Sequence, residues 1–210
     1  MTTIALIAKE PLPGKVKTRL HPAVTLEQAA ELAAASIRDT LTVMADLPAT
    51  RRILLFDGAV LPDGIEGFDV IPQVGGTLDH RLAALFDVVT EPLVLIGMDT
   101  PQLTVEHLLP AFDQWPDSID AWFGPATDGG FWALGMREPR GNLIRGVPMS
   151  RGDTGFLQLR RLSQAFMRVG MLSPLCDVDT IDDAYEAAAL APHSHFAAAL
   201  SRFATNGVAA

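Results

Sequence analysis

Apolar residues fall along this chain in two rhythms. Short, nearly continuous apolar runs at 3–8, 52–56, 68–71 and 92–97 read as strands, and the last (Pro-Leu-Val-Leu-Ile-Gly) has the unbroken character of a strand buried on both faces. Further strands are expected at 119–123 and 130–135. Elsewhere the spacing changes to three and four. Ala29, Ala33, Ile37, Leu41 and Met44 share one helical stripe, and the preceding Thr25-Leu26-Glu27-Gln28 is a capping-box pattern that fixes the helix start. Helices are also expected from near Thr77, after Pro101, over 155–167, from Thr180, where Asp182 and Asp183 suit a helix N-terminus, and from Pro192 onward, ending in a fraying terminus.

Strands alternating with helices predict an α/β fold, with a mostly parallel central sheet covered by helices on both faces. The length suits a single domain over 1–210. In such sheets ligands sit beyond the carboxyl ends of the strands. The loops after the first strand and after 93–97 are therefore the places to look for chemistry.

Composition narrows the classes. Apolar residues make up 49% of the chain, ample for one large core, yet no run of 18 apolar residues occurs, so no membrane span is expected. The first residues lack a basic stretch and read as a strand rather than a signal peptide. Cys176 is the only cysteine, which excludes an intrachain disulfide and a cysteine metal cluster and suits a reducing cytoplasm. Sixteen Lys and Arg stand against 25 Asp and Glu, a net charge of −9. That balance argues against a nucleic-acid-binding surface but not against one phosphorylated small molecule, which needs only a local basic pocket.

Such a pocket has a candidate. Residues 9–24 form a loop rich in Pro, Gly and basic side chains. Lys9, Lys15, Lys17 and Arg19 fall within eleven residues of it, while Pro11, Pro13 and Gly14 shape the turn. Backbone amides with Lys and Arg make a natural phosphate cradle, and a solvated basic loop is the plainer alternative. It is not a Walker A loop, because Lys9 and Val16 stand where a glycine and a Ser or Thr are required. A second segment, Gly97-Met98-Asp99-Thr100-Pro101, puts a carboxylate at the end of the 92–97 strand, placed to hold Mg²⁺ or Mn²⁺; Thr100, or Asp99 itself, is equally suited to cap the helix after Pro101. In a third, Asp177-Val178-Asp179-Thr180, the two aspartates have strand spacing and no local role once Thr180 caps the next helix. In a fourth, Ala126-Thr127-Asp128-Gly129-Gly130-Phe131-Trp132, paired glycines let a ligand approach, Asp128 can orient a hydroxyl or amine, and Phe131 or Trp132 can stack on a ring; a tight turn with core aromatics is the plainer alternative. His80 and His107 sit on expected helices without metal-site spacing, and His193 and His195 read as surface residues of the tail.

The four segments together resemble the GT-A-fold nucleotide-dependent transferases. They are most similar to a family of bacterial transferases described as glycosyltransferase-like, with the pattern K-x-P-x-P-G-x-V-K-T-R-L, G-x-D-x-P, G-P-A-x-D-G-G-[YF] and D-x-D-T, and more distantly to 2-phospholactate guanylyltransferase and molybdenum-cofactor nucleotidyltransferases. The resemblance spans nearly the whole chain. It implies a GT-A fold in which Ala8, Lys9, Pro11, Gly14, Lys17 and Arg19, with Gln73, Gly76, Leu78 and Arg81, lie along the nucleotide, Lys17, Arg19 and Asp99 being catalytic. It implies Asp99 as the metal ligand with Asp179 or Asp177 as the second donor, and Asp128, Gly129, Gly130 and Ser150 facing the acceptor. Phe131-Trp132 replaces the usual tyrosines, and Met149-Ser150 the usual Trp followed by Ser or Thr.

Two activities follow from the same parts. A nucleotidyltransferase would pass a nucleotidyl group from an NTP to a small phosphorylated or carboxylate acceptor, and the number of cations in the basic loop favours it. A glycosyltransferase would use a nucleotide-diphosphate sugar. A nucleotide-binding regulatory protein without turnover is the third alternative.

Overall fold

The computed structural model describes residues 2–113 and 115–206, the last three of them by backbone alone; the fraying end expected after the last helix falls on 207–210, outside the described residues. Its strands are β1 (Thr3–Lys9), β2 (Arg51–Asp57), β3 (Asp69–Pro72), β4 (Leu93–Ile96), β5 (Ala121–Pro125), β6 (Phe131–Met136) and β7 (Val169–Met171). They form one sheet in the order β3-β2-β1-β4-β6-β5-β7. β6 runs antiparallel to both β4 and β5, and every other neighbouring pair is parallel, so the mostly parallel sheet expected from the alternation is present.

Alternating side chains feed two cores. Ile4, Leu6 and Ala8 of β1 with Val94 and Ile96 of β4 pack on one face, beneath α1 (Leu26–Asp46) and α3 (Val105–Phe112). Ala5, Leu93 and Leu95 pack on the other, beneath α2 (Leu78–Val88) and α4 (Thr154–Gln164). Burial on both faces is why these strands read as continuous apolar runs rather than as alternating ones. A third cluster joins α1 to α5 (Ile181–Leu190) and α6 (His195–Asn206) through Leu32, Ala184 and Phe196.

Local chemistry explains the helix starts. The Thr25 hydroxyl accepts from the Gln28 N–H (3.2 Å) while the Thr25 N–H donates to the Gln28 side chain (2.8 Å), and all five residues of the expected apolar stripe are buried. Thr180 and Asp183 repeat the arrangement at α5. The carboxylate of Asp39 in α1 accepts from the His195 and Phe196 N–H groups, each at 2.9 Å, and meets His195 Nδ1 at 2.7 Å. His195 is exposed, as expected of a surface residue, and also helps dock α6 on α1. Thr100 caps no helix: its side chain is buried with no hydrogen-bond partner, and α3 starts five residues later behind Thr104, whose N–H donates to His107 Nδ1 at 3.0 Å. No helix among the described residues is long and apolar enough to cross a membrane.

Candidate functional site

Strand ends and one distant segment converge at the carboxyl edge of the sheet. The loop after β1 turns at Gly14, where φ is +73°, and Lys17 also adopts a left-handed backbone with φ +48°. The Lys9 ammonium donates to the Lys15 carbonyl (3.0 Å), which closes the loop on itself. The 175–179 segment then lies beside the end of β4: the Val178 N–H donates to the Asp99 carbonyl (2.9 Å) and the Gln102 side chain to the Cys176 carbonyl (2.6 Å). On its other side the Thr127 N–H donates to the Leu175 carbonyl (3.0 Å). This short strand-like run has little local signal, yet it carries Asp177 and Asp179 to Asp99.

Lys9, Val16, Lys17, Thr18, Arg19, Met98, Asp99 and Asp179 line one cavity of ≈ 180 Å³. Within it the Lys17 ammonium, only 5% exposed as a side chain, bonds to Asp99 Oδ1 and to the Val178 carbonyl. The Arg19 guanidinium meets Asp179 Oδ2 at 2.9 Å and is largely exposed. Each carboxylate at the cavity thus carries a cation from the same loop. Asp177 sits deeper. Burial, reinforced by the nearby Asp99 and Asp128 charges and opposed by Lys17, pushes its carboxyl up to about 7, and its Oδ1 has no hydrogen-bond partner.

The residues expected along a nucleotide form a network at the same edge. Gln73 donates to the Ala8 and Leu55 carbonyls (2.8 and 3.2 Å), and Arg81 donates to the Gln73 side chain (3.2 Å), to Asp57 (3.0 Å) and to the Gly76 carbonyl (3.0 Å). Asp57, at the end of β2, was not singled out by its sequence context. Pro11 is partly exposed on the basic loop. Leu78 instead faces a second, more open cavity of ≈ 410 Å³, together with Thr77, Asp79, Gly146, Val147, Pro148, Met149 and Ser150.

At the segment expected to face an acceptor, the geometry bears on the aromatic pair and on the glycines. Trp132 is not placed to stack on a ligand: it is 2% exposed, in the core, with its indole N–H donating to the Ser173 carbonyl (3.1 Å) and its ring against Gly124, which has no room for a side chain. Phe131, on the opposite face of β6, is only partly buried and packs on Phe123. At Gly129 the protein's own packing already requires a glycine. A Cβ on Gly129, where φ is +89°, would overlap the Gly152 carbonyl, and the Gly155 N–H donates to the Gly129 carbonyl (2.8 Å). Asp128 accepts from the Gly130 N–H (2.8 Å), closing the turn. The 126–130 turn and the 150–155 loop therefore adjoin.

Two cavity carboxylates could hold a divalent cation only if water or substrate completed its shell. Among the described residues no three His, Cys, Asp or Glu side chains are arranged to enclose a metal. Mg²⁺ characteristically takes one or two carboxylates and fills the rest of its shell with water and substrate phosphate. Asp99 and Asp179 would supply those carboxylates, and the unpartnered Asp177 oxygen is a buried acceptor nearby.

The chain belongs to the family described as "Uncharacterized protein conserved in bacteria (DUF2064)", whose model matches residues 33–151. It is similar to a candidate nucleotide-diphospho-sugar transferase from Desulfovibrio desulfuricans, with 26% identity and a TM-score of 0.82 over 96% of this chain and 94% of that one. It shares its fold with 2-C-methyl-D-erythritol 4-phosphate cytidylyltransferase from Thermus thermophilus (16% identity, TM-score 0.56, 91% and 100% covered). It also shares it with the Mycobacterium tuberculosis protein Rv0371c in complex with manganese (22%, 0.52, 89% and 96%). No curated protein matches the sequence. The architecture is thus that of the nucleotide-diphospho-sugar transferases, as the ordered motifs implied.

Proposed function

We propose that this member of the family is a metal-dependent nucleotidyltransferase that moves a nucleotidyl group from an NTP to a small phosphorylated or carboxylate acceptor. The observation that carries the reading is the single cavity in which Lys9, Lys17 and Arg19 face Asp99 and Asp179 at the carboxyl edge of a parallel sheet. A triphosphate needs several cations, and this loop concentrates four in a chain of net charge −9. The cytidylyltransferase activity named for one protein of the same fold supports the reaction type, and the manganese complex named for another supports the metal.

In this reading Lys9, Lys17 and Arg19 hold the phosphates, and Gln73, Gly76 and Arg81 keep the ends of β1 to β3 in register beneath the nucleoside. A divalent ion on Asp99 and Asp179 would supply charge neutralisation at the α-phosphate. Asp128 and Ser150, from the adjoining 126–130 and 150–155 segments, orient the acceptor. Its oxygen attacks the α-phosphorus in line, the bond to the bridging oxygen breaks, and pyrophosphate leaves with its charge held by the basic loop. The lone cysteine accords with a cytoplasmic setting.

Glycosyl transfer is the second reading, favoured by the D. desulfuricans neighbour. One experiment separates the two. The protein is incubated with Mg²⁺ or Mn²⁺, with NTPs or nucleotide sugars, and with phosphorylated, carboxylate and hydroxyl acceptors. Pyrophosphate release with a nucleotidylated product supports the proposal. A nucleoside diphosphate with a glycosylated product replaces it with the second reading, and binding without turnover across the panel makes the protein a nucleotide-binding regulator.

A further inference from the structure

Two loop cations sit one-to-one on two cavity carboxylates. Lys17 is on Asp99 and Arg19 on Asp179. Lys17 is the unusual partner of the two. An ammonium is strongly hydrated, yet this side chain is 5% exposed and bonds to Asp99 and to the Val178 carbonyl, while its backbone is left-handed. A lysine held this way is not waiting in solvent for a phosphate. It fills the place beside Asp99 Oδ1 that an incoming cation would need, since a direct Mg²⁺–oxygen bond of about 2.0–2.2 Å leaves no room for an ammonium on the same side of that oxygen.

From this pairing we infer that Lys17 is a resident counter-ion, which must leave Asp99 before a divalent cation can bind there, and that polyphosphate is what draws it away. The inference rests on the metal-dependent reading above and names the form in which its substrate enters, a divalent cation and a polyphosphate bound together. Phosphate oxygens accept the Lys17 ammonium and, alongside it, the Arg19 guanidinium. Asp99 and Asp179 then exchange protein cations for the metal, and each carboxylate keeps a cationic partner. Each ligand alone must break an ion pair without replacing it, so each binds weakly. Together each supplies the partner the other displaces. Coupling of this kind is reciprocal and typically amounts to about 5–150-fold in affinity.

The test is Mn²⁺ binding to the full chain, read by the electron paramagnetic resonance of free Mn²⁺, with no phosphate present. Lys17→Met is expected to bind Mn²⁺ at least about tenfold more tightly than the wild type, and Asp99→Asn in the same background is expected to abolish the gain. Lys17→Gln, which keeps a donor for the Val178 carbonyl, serves if the Met variant does not fold. Unchanged or weaker Mn²⁺ binding after removal of the lysine charge overturns the counter-ion role while leaving the metal-dependent reading standing. A gain that survives Asp99→Asn also overturns it, because the cation would then lie elsewhere. Failure of both wild type and variant to bind Mn²⁺, alone or with inorganic triphosphate, overturns the metal-dependent reading and the inference together.

Discussion

The basic loop after β1 and the glycine turn after β5 both stand at the carboxyl edge of the sheet, but they are held by opposite means. The loop is fixed by long charged side chains that reach across more than eighty residues of sequence, from Lys17 to Asp99 and from Arg19 to Asp179. The turn is fixed by backbone packed on backbone, Gly129 and Gly130 against Gly152 and Gly155, with no space for a side chain at Gly129. The exposed Arg19–Asp179 pair is individually weak, and both carboxylates are 44% exposed and so open to another cation. Close-packed backbone has no alternative arrangement of similar energy. The contrast assigns adaptability to the side expected to receive phosphates and metal, and rigidity to the side expected to place the acceptor.

The largest effects should come from the rigid side. Gly129→Ala adds a Cβ onto the Gly152 carbonyl in a left-handed conformation. Overpacking and backbone strain together should cost roughly 2–5 kcal/mol, seen as a lower midpoint in urea or heat. A Gly129→Ala protein as stable as the wild type would remove the rigid half of the comparison. A smaller loss is expected at Asp79, which ties the 146–150 loop to α2 by accepting from the Gly146 N–H (2.7 Å). Asp79→Ala should cost about 1.5–3 kcal/mol at neutral pH, as for other charge-assisted hydrogen bonds. The Thr77 hydroxyl and the Gly146 N–H hold the Asp79 carboxyl below its ordinary value of 3.8. A lowered folded value stabilises above the unfolded one, and that contribution is lost as pH falls from about 3.8 toward the folded value. The stability gap between wild type and variant should therefore narrow as pH falls below about 4. A gap that did not narrow there would mean that the ionised carboxylate is not what holds the loop.

The same division governs what the sequence disclosed. Local signals survived folding. The Thr25–Gln28 box and the stripe from Ala29 to Met44 gave α1, and the apolar run at 92–97 gave β4 with burial on both faces. Long-range placement was the harder part. β7, three residues long, escaped notice because its stability comes from pairing with β5 rather than from its own pattern. Asp177 and Asp179 could be grouped with Asp99 by resemblance, but only the hydrogen bonds of the 175–179 segment explain how they arrive there. Thr100 followed by proline mimics a helix start, and nothing local reveals that the chain makes a turn first, with the Leu103 N–H donating to the Thr100 carbonyl (3.0 Å). The glycines of the turn were visible as glycines. That they pack on Gly152 and Gly155 depends on a contact between segments more than twenty residues apart.

The adaptable side is best tested where stability is least involved. Arg19 is 75% exposed as a side chain, and its ion pair with Asp179 is 44% exposed on the acidic side, so breaking it should change folding stability by no more than about 0.5–1 kcal/mol. If the guanidinium also receives phosphate when a nucleotide binds, the same Arg19→Ala change removes a charge-assisted contact from the complex. Contacts of that kind are worth about 1.5–3 kcal/mol, roughly ten- to hundredfold in affinity. Calorimetry with NTP and Mg²⁺, beside a thermal melt of each protein, should show a weakened complex and an unmoved midpoint. The opposite pattern, a lowered midpoint with unchanged affinity, would make Arg19 a structural clamp on the 177–179 segment. The basic loop would then be built on the same principle as the glycine turn, and the cavity would lose one of the cations that a triphosphate requires.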